Sequence, residues 1–226
     1  MDTLSISKTG RLFWLGRYVE RVYTTLQLAL EIYDMALDGG SASHSEYCAK
    51  LGIPDVYESG QDFCRKYTFD SANPISILSS LGYAYDNAIV MRETIGSMTL
   101  SYIQLAMTSM ERAEKSSAPA LELQEVLDDI MAFRGSCEEN IDDEMVRNII
   151  KCGAGMERAD LYLRLGYPKE TCRRELSKLL NRLYKTQMQT NVAALNQLVG
   201  QVLDHSAPAV PDSELLRTLE SLFPDV

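Results

Sequence analysis

The chain has 226 residues, 46% of them hydrophobic, which is enough to fill a sizeable core. Its formal net charge of -10 excludes a long-range field that would attract nucleic acid or an anionic membrane surface, so we expect neither as a partner. No apolar run is long enough to span a bilayer and the first residues lack the pattern of a signal peptide, which predicts a cytoplasmic protein.

Helical periodicity begins close to the N-terminus. Residues 5–38 predict one helix, because apolar residues recur three and four positions apart until a pair of glycines. Residues 41–72 indicate short helices and turns. After an Asn-Pro step, residues 75–115 predict one very long helix, in which Gly82 and Gly96 mark kinks or close helix contacts.

Four further helices are predicted in the second half of the chain. The first covers residues 120–138, and Arg134 and Gly135 indicate its end. No alternating pattern of useful length predicts a strand. We therefore expect an all-α fold, a single domain over residues 1–226 built as a bundle of long antiparallel helices. The remaining helices are predicted at 142–165, ending at a Gly-Tyr-Pro sequence, at about 168–203 and at 212–222.

The five cysteines indicate structural thiols. Their number is odd and no two have C-x-x-C spacing, which argues against a disulfide framework and a zinc site. The only histidines, His44 and His205, have no sequence relation to a cysteine that would indicate a nucleophile and its base. We therefore expect reduced, buried cysteines and no metal site.

Two of the predicted helices carry the same Glu-Arg step after a glycine. Adding 137 to a position in the first helix gives its counterpart in the second, and the apolar seams of the two helices coincide under this offset. The correspondence fails at Arg17, which falls on Ala154. The repeated residues are Gly16, Glu20 and Arg21 in the first helix and Gly153, Glu157 and Arg158 in the second.

The repeated step has a structural and a functional interpretation. Neighbouring helical residues point about 100° apart, so the Glu and Arg of one step are poorly placed to pair with each other. In the structural interpretation, Glu20 pairs with Arg158 and Glu157 pairs with Arg21, while the glycines let the helices approach closely. In the functional interpretation, the arginines hold a carboxylate or phosphate and the glutamates hold an amine or a metal.

Three stretches resemble the bacterial alpha-E domain, an all-helical family named for its Glu-Arg motif. They are LFWLGRYVER, NPISILSSLGYAYDNAIVMRETI and GAGMERADLYL, in the family's order, and the likeness covers about residues 5–165. The chain departs from the family pattern at Ala154, where a basic residue usually follows the second glycine. The resemblance picks out Gly16, Arg17, Glu20, Arg21, Asn73, Asn87, Arg92, Glu93, Gly153, Glu157 and Arg158 as motif or ligand-binding candidates.

The resemblance also implies a functional context. Family members are encoded beside, or fused to, ATP-grasp-type proteins and transglutaminase-like peptidases, which implies a helical accessory or binding component of a system that forms or modifies peptide or amide bonds. One alternative is a small-molecule enzyme with Glu20 or Glu157 as general base and the arginines as an anion clamp. A second is a structural module that forms homo-oligomers. The sequence identifies neither catalytic residues nor a cofactor.

Overall fold

A computed structural model describes residues 4–37, 44–203 and 210–224 of the chain. These residues form eleven helices and no strand, which confirms the all-α fold class. The helices are α1 (Ile6–Leu37), α2 (His44–Leu51), α3 (Gly60–Phe69), α4 (Ile77–Val90), α5 (Arg92–Ile95), α6 (Ser97–Lys115), α7 (Pro119–Asn140), α8 (Glu144–Leu165), α9 (Lys169–Leu183), α10 (Val192–Leu203) and α11 (Asp212–Glu220).

The chain divides into two compact units. The terminal unit comprises residues 1–17 and 143–226, and the central unit comprises residues 18–142. The terminal unit therefore contains the first part of α1 with α8–α11, and the central unit contains the rest of α1 with α2–α7. The single domain expected over residues 1–226 stays a prediction.

The terminal unit packs around the beginning of α1. Leu12 and Leu15 are fully buried, and the ring of Phe13 meets the ring of Phe223 at a centroid distance of 4.9 Å. Phe13 lies outside the apolar seam of α1 but is only 2% exposed, so the helix buries a second face here. Helix α8 ends at Gly166, whose φ of 73° suits glycine, and the next amide closes the helix by donating to the carbonyl of Tyr162.

The central unit has its core between α4, α6 and α7. Each helix contributes a side chain that is at most 1% exposed, namely Leu81, Ile103 and Phe133. Helix α4 begins at Ser76, whose hydroxyl accepts a hydrogen bond from the amide of Ser79. A fully buried side chain of this size contributes about 1.5 to 3 kcal/mol, so each of these three residues adds to the unit's stability.

The expectation of one helix over residues 75–115 is wrong. The segment forms α4, α5 and α6, with breaks at Met91 and at Gly96, whose φ of 83° is a conformation that glycine adopts at little cost. Gly82 lies inside α4, and a Cβ atom built there would have no neighbour within 4 Å, so it does not mark a close helix contact.

Two other helix ends differ from the prediction. Helix α7 continues through Gly135 to Asn140, because the cost of an interior glycine, about 1 kcal/mol, does not end a helix that is packed on α6. The helix expected over 168–203 is two helices, α9 and α10, because the side chain of Asn191 accepts from the amides of Ala193 and Ala194 and starts a new helix. The glycine pair at 39 and 40 that predicts the end of the first helix lies outside the described residues.

Candidate functional site

The glycines of the Glu-Arg repeat mark a crossing of α1 and α8 in the terminal unit. A Cβ atom built on Gly16 would lie 2.0 Å from the carbonyl oxygen of Ile150, and one built on Gly153 would lie 1.9 Å from that of Phe13. The offset of 137 exchanges these two contacts, since it takes Phe13 to 150 and Gly16 to 153. The two helices therefore meet backbone to backbone about an approximate twofold axis, and only glycine fits on either side.

Next to the crossing, motif residues of the two helices form an ion pair. The Nε and Nη2 atoms of Arg17 both lie 2.7 Å from Oε2 of Glu157. The Glu157 side chain is 2% exposed and that of Arg17 is 18% exposed, so the pair is largely shielded from water. The Arg17 guanidinium also lies 4.7 Å from the ring centroid of Trp14, a cation–π contact that fixes its orientation.

The first glutamate of the repeat, Glu20, is also buried and paired. It belongs to the central unit, where Nη2 of Arg134 lies 2.5 Å from its Oε2 atom and the hydroxyl of Thr24 donates to its Oε1 atom at 3.2 Å. The repeat would place a counterpart of Arg17 at position 154, where alanine carries no charge. Arg134 of α7 provides a cation from outside the repeat, and the ring of Tyr23 lies 4.1 Å from its guanidinium.

The second arginine of the repeat, Arg158, pairs with Glu175 of α9 within the terminal unit. Its Nη1 atom lies 3.3 Å from Oε2 of Glu175, whose side chain is 6% exposed. Burial would raise the pKa of Glu175, but the hydrogen bond from Lys178 and the charge of Arg158 outweigh burial and hold the pKa below its usual value. Glu175 is therefore a buried carboxylate that stays ionised because cations surround it.

The cross-helix pairs expected from the sequence would each span both units. Glu20 with Arg158, and Arg21 with Glu157, each take one residue from the central unit and one from the terminal unit, and these pairs stay predictions. Within the central unit, the guanidinium of Arg21 lies 5.7 Å from the ring centroid of Tyr18, and its carbonyl accepts from the hydroxyl of Thr25 at 2.7 Å.

The asparagines of the central motif make local backbone contacts. The side-chain oxygen of Asn73 accepts from the amide of Ile75 at 3.1 Å, and its carbonyl accepts from the hydroxyl of Ser79 at 2.8 Å. These bonds shape the turn that leads into α4. The half-buried Asn87 accepts at its carbonyl from the amide of Met91, which closes the last turn of α4.

Arg92 and Glu93 lie at the surface of the central unit. Both belong to the short helix α5 and both are exposed. The Nε atom of Arg92 donates to the hydroxyl of Ser97 at 3.0 Å, which ties α5 to the first turn of α6. These two residues thus differ from the buried glutamates of the repeat, and an ionic partner could reach them from solvent.

Two residues that hold the motif charges are not among the candidates predicted from the sequence. Arg134, which the pattern places at a helix end, continues the helical period of α7. Glu175 occupies a position of the apolar stripe of α9, together with Cys172, Leu176 and Leu179. A charged residue inside an apolar stripe needs a partner, and this signal was available in the sequence.

Among the described residues, two features that would indicate a ligand site at the Glu-Arg repeat are absent: unpaired buried polar atoms and a cluster of metal ligands. Every buried side-chain nitrogen and oxygen among them has a hydrogen-bond partner, and they contain no group of three or more His, Cys, Asp or Glu able to hold a metal ion. A cavity of about 140 Å³ opens in the terminal unit near Ile6, Met145 and Gln187, and no residue of the Glu-Arg repeat lines it. In the described ranges, no helix is both long enough and apolar enough to cross a membrane.

Burial also accounts for the cysteines. All five are free and buried, as the sequence predicts. Burial raises the pKa of Cys64 and of Cys152 to about 12, so neither is a thiolate at neutral pH. The pKa of Cys48 is raised to about 11, mainly by burial and also by the negative charge of the nearby Asp55.

The chain matches the model of a known protein family. The model of the Alpha-E family, described as a predicted alpha-helical domain with a conserved ER motif, matches residues 8–169. The matched range contains both Glu-Arg steps and the central Asn-Pro segment. No curated protein and no solved structure matched the chain.

Proposed function

We propose that this chain, which belongs to the Alpha-E family, is a helical binding component of a bacterial, cytoplasmic system that forms or modifies peptide or amide bonds. In this proposal an ATP-grasp or transglutaminase-like partner carries out the chemistry, and the present chain binds that partner. Its own Glu-Arg repeat serves to hold its helices together.

The burial and pairing of the motif glutamates support the structural role of the repeat, while the class of partner follows from the family resemblance. As whole residues, Glu20 and Glu157 are each 1% exposed, and each has an arginine guanidinium within 2.7 Å. A general base must come within hydrogen-bond reach of the proton that it removes, and a carboxylate buried under a guanidinium lacks that access. The arrangement is what a structural ion pair requires, since each buried charge is matched.

The alternative of a small-molecule enzyme built on these glutamates is less well supported. A substrate-sized site commonly has a volume of about 300 to 1,000 Å³ and is lined by the reacting groups. The cavity near Ile6 is smaller, at about 140 Å³, and lies away from the repeat. An enzyme of this kind would need a rearrangement that exposes Glu20 or Glu157.

The experiment mixes the purified chain with the purified ATP-grasp protein and the transglutaminase-like protein from the same genome. Light scattering after size exclusion measures complex formation, and ADP release measures ATP turnover with an amine and a carboxylate as substrates. We expect a complex and a turnover that rises when the chain is present. The proposal would be overturned if neither protein formed a complex with the chain and if the chain left the turnover of both unchanged.

A matched variant separates the binding role from the catalytic one. Glu157→Gln keeps the size and the hydrogen-bonding oxygen of the side chain but removes its charge and basicity. The proposal predicts that this variant, measured where it is folded, still binds the partner and supports turnover. Turnover lost by a folded, partner-bound variant would favour the enzyme instead.

A further inference from the structure

The positive charge of this acidic chain is concentrated in one segment. Residues 147–185 contain ten lysines and arginines against four acidic residues, so the segment carries +6 while the rest of the chain carries -16. The segment comprises most of α8 and all of α9, which pack together within the terminal unit. Its charge is therefore opposite in sign to that of the protein as a whole.

Four of these cations form a basic stripe, made of Arg174, Lys178 and Arg182 on α9 and of Lys185, which lies two residues beyond the end of the helix. The three helical cations are spaced four residues apart, so they lie within about 80° of one another around the helix axis. The helical part of the stripe is about 12 Å long, because each residue adds 1.5 Å. The side chains of Arg174, Lys178 and Lys185 are 64%, 58% and 53% exposed, which makes them accessible to a partner.

The contacts of the stripe show which ligand groups it accepts. Nζ of Lys178 lies 2.8 Å from Oε1 of Glu175, and Nε of Arg174 lies 3.7 Å from the same oxygen. Nζ of Lys185 lies 3.0 Å from Oε1 of Glu144. Two carboxylates thus face three exposed cations, and Glu175 is shared further with Arg158 on α8. The stripe binds carboxylates of its own chain and keeps an excess of positive charge.

We propose that the basic stripe is a docking surface for a short acidic segment of a partner protein. Cations four residues apart on α9 are separated by about 6 Å along the helix. An extended chain places side chains of one face about 6.6 Å apart, so alternate glutamates or aspartates of such a segment meet successive cations. A segment of about five residues spans the stripe.

The charge of the rest of the chain favours a short acidic segment over a nucleic acid. A long polyanion would extend beyond so short a stripe and would be repelled by a protein whose remaining residues carry -16. A short segment ends where the positive surface ends. The docking surface depends only on charge and spacing and goes beyond the proposed function, since it is independent of which enzyme the chain accompanies.

The test measures fluorescence anisotropy of a fluorescein-labelled oligoglutamate peptide added to the intact chain. The test variant is Arg174→Gln/Lys178→Gln/Lys185→Gln. The control is Lys50→Gln/Lys66→Gln/Lys115→Gln, which removes the same number of charges from the central unit. Circular dichroism checks that both variants retain the helix content of the parent chain.

We expect the peptide to bind at low salt and to be released as salt rises. The stripe variant should bind about tenfold more weakly, because three exposed charge contacts are lost, while the control should change less than twofold. An absence of peptide binding, or an equal loss in both variants, would overturn the inference. An oligothymidylate of the same length that binds as tightly as the peptide would overturn the assignment to a protein segment.

The outcome is independent of the test with ATP-grasp and transglutaminase-like proteins. Peptide binding lost only by the stripe variant supports the docking surface even if neither of those proteins forms a complex. Conversely, a complex that the stripe variant forms as well as the parent chain, together with no peptide binding, would leave the proposed function in place and remove the docking surface.

Discussion

Replacing Gly16 or Gly153 by alanine probes the contact on which the repeat is built. The added methyl group would lie 2.0 Å from the carbonyl oxygen of Ile150 in the first case and 1.9 Å from that of Phe13 in the second. A carbon and a carbonyl oxygen normally approach no closer than about 3.3 Å. Since the opposing atoms are backbone, no side chain can turn aside, and the helices must separate by about 1.3 Å.

The magnitude follows from two opposing effects. Alanine is favoured over glycine inside a helix by about 1 kcal/mol. Overpacking a close contact costs about 1 to 3 kcal/mol, and a backbone clash belongs at or above the top of that range. A gap of about 1 Å also weakens the surrounding dispersion contacts by a quarter to a half. We therefore expect each variant to lose about 2 kcal/mol or more, which lowers the melting temperature by about 4 to 8 °C.

Thermal and urea unfolding measure this loss, with controls in the same two helices. A Cβ on Gly10 of α1 would have no neighbour within 4 Å, and one on Gly155 of α8 would meet Leu179 at an ordinary 3.5 Å. Alanine at these positions should be neutral or stabilising. The loss in the double variant Gly16→Ala/Gly153→Ala should be smaller than the sum, because one separation relieves both clashes. Melting temperatures at or above that of the parent chain for both single variants would refute the reasoning.

Three other predictions concern buried charges and thiols. Arg134→Ala should lower the free energy of unfolding by about 3 kcal/mol, since it removes a cation partner of the buried Glu20. The control Arg112→Ala, in an exposed pair with Glu125, should cost less than about 1 kcal/mol. Equal losses of the two variants in urea unfolding would contradict this. Folding lowers the pKa of Glu175, so its contribution to stability is present above its unfolded pKa of about 4.3 and is lost as the pH falls through the lower folded pKa. Glu175→Gln should therefore flatten the loss of stability with acid. An unchanged slope of the free energy of unfolding against pH would contradict this. All five cysteines should resist a disulfide reagent at pH 8 until the chain unfolds, because they are buried and burial raises the pKa of Cys64 and of Cys152 to about 12. A thiol that reacts fast in the folded protein would contradict this and show that a site opens.

Local periodicity predicted most of the helices of this fold. The apolar seam of α1 and the Gly-Tyr-Pro end of α8 gave bounds within two residues of those observed. The errors came where backbone geometry, not periodicity, decides. Gly96 breaks the helical pattern and Gly135 does not, because only the first adopts a positive φ, and nothing in the pattern distinguishes the two glycines.

The candidate site was predictable in part. The offset of 137 identified the close approach at Gly16 and Gly153, because both glycines hold the same position relative to an apolar seam. The offset could not supply Arg134 as a partner of Glu20, since that arginine lies on a helix outside the repeat. Pairing across distant helices depends on tertiary packing, which one sequence does not encode in its spacing.

The coupling free energy between Arg17 and Glu157 tests most directly the claim that the Glu-Arg repeat holds the helices together. Urea unfolding of Arg17→Ala, Glu157→Ala and the double variant measures it. We predict that each single variant is destabilised, Glu157→Ala by leaving Arg17 without its carboxylate, and that the double variant is more stable than the sum of the losses by about 1 to 3 kcal/mol. The structural role would be contradicted if the coupling were zero, both single variants were as stable as the parent chain, and partner-dependent ATP turnover were lost. That result would place the pair in a functional site.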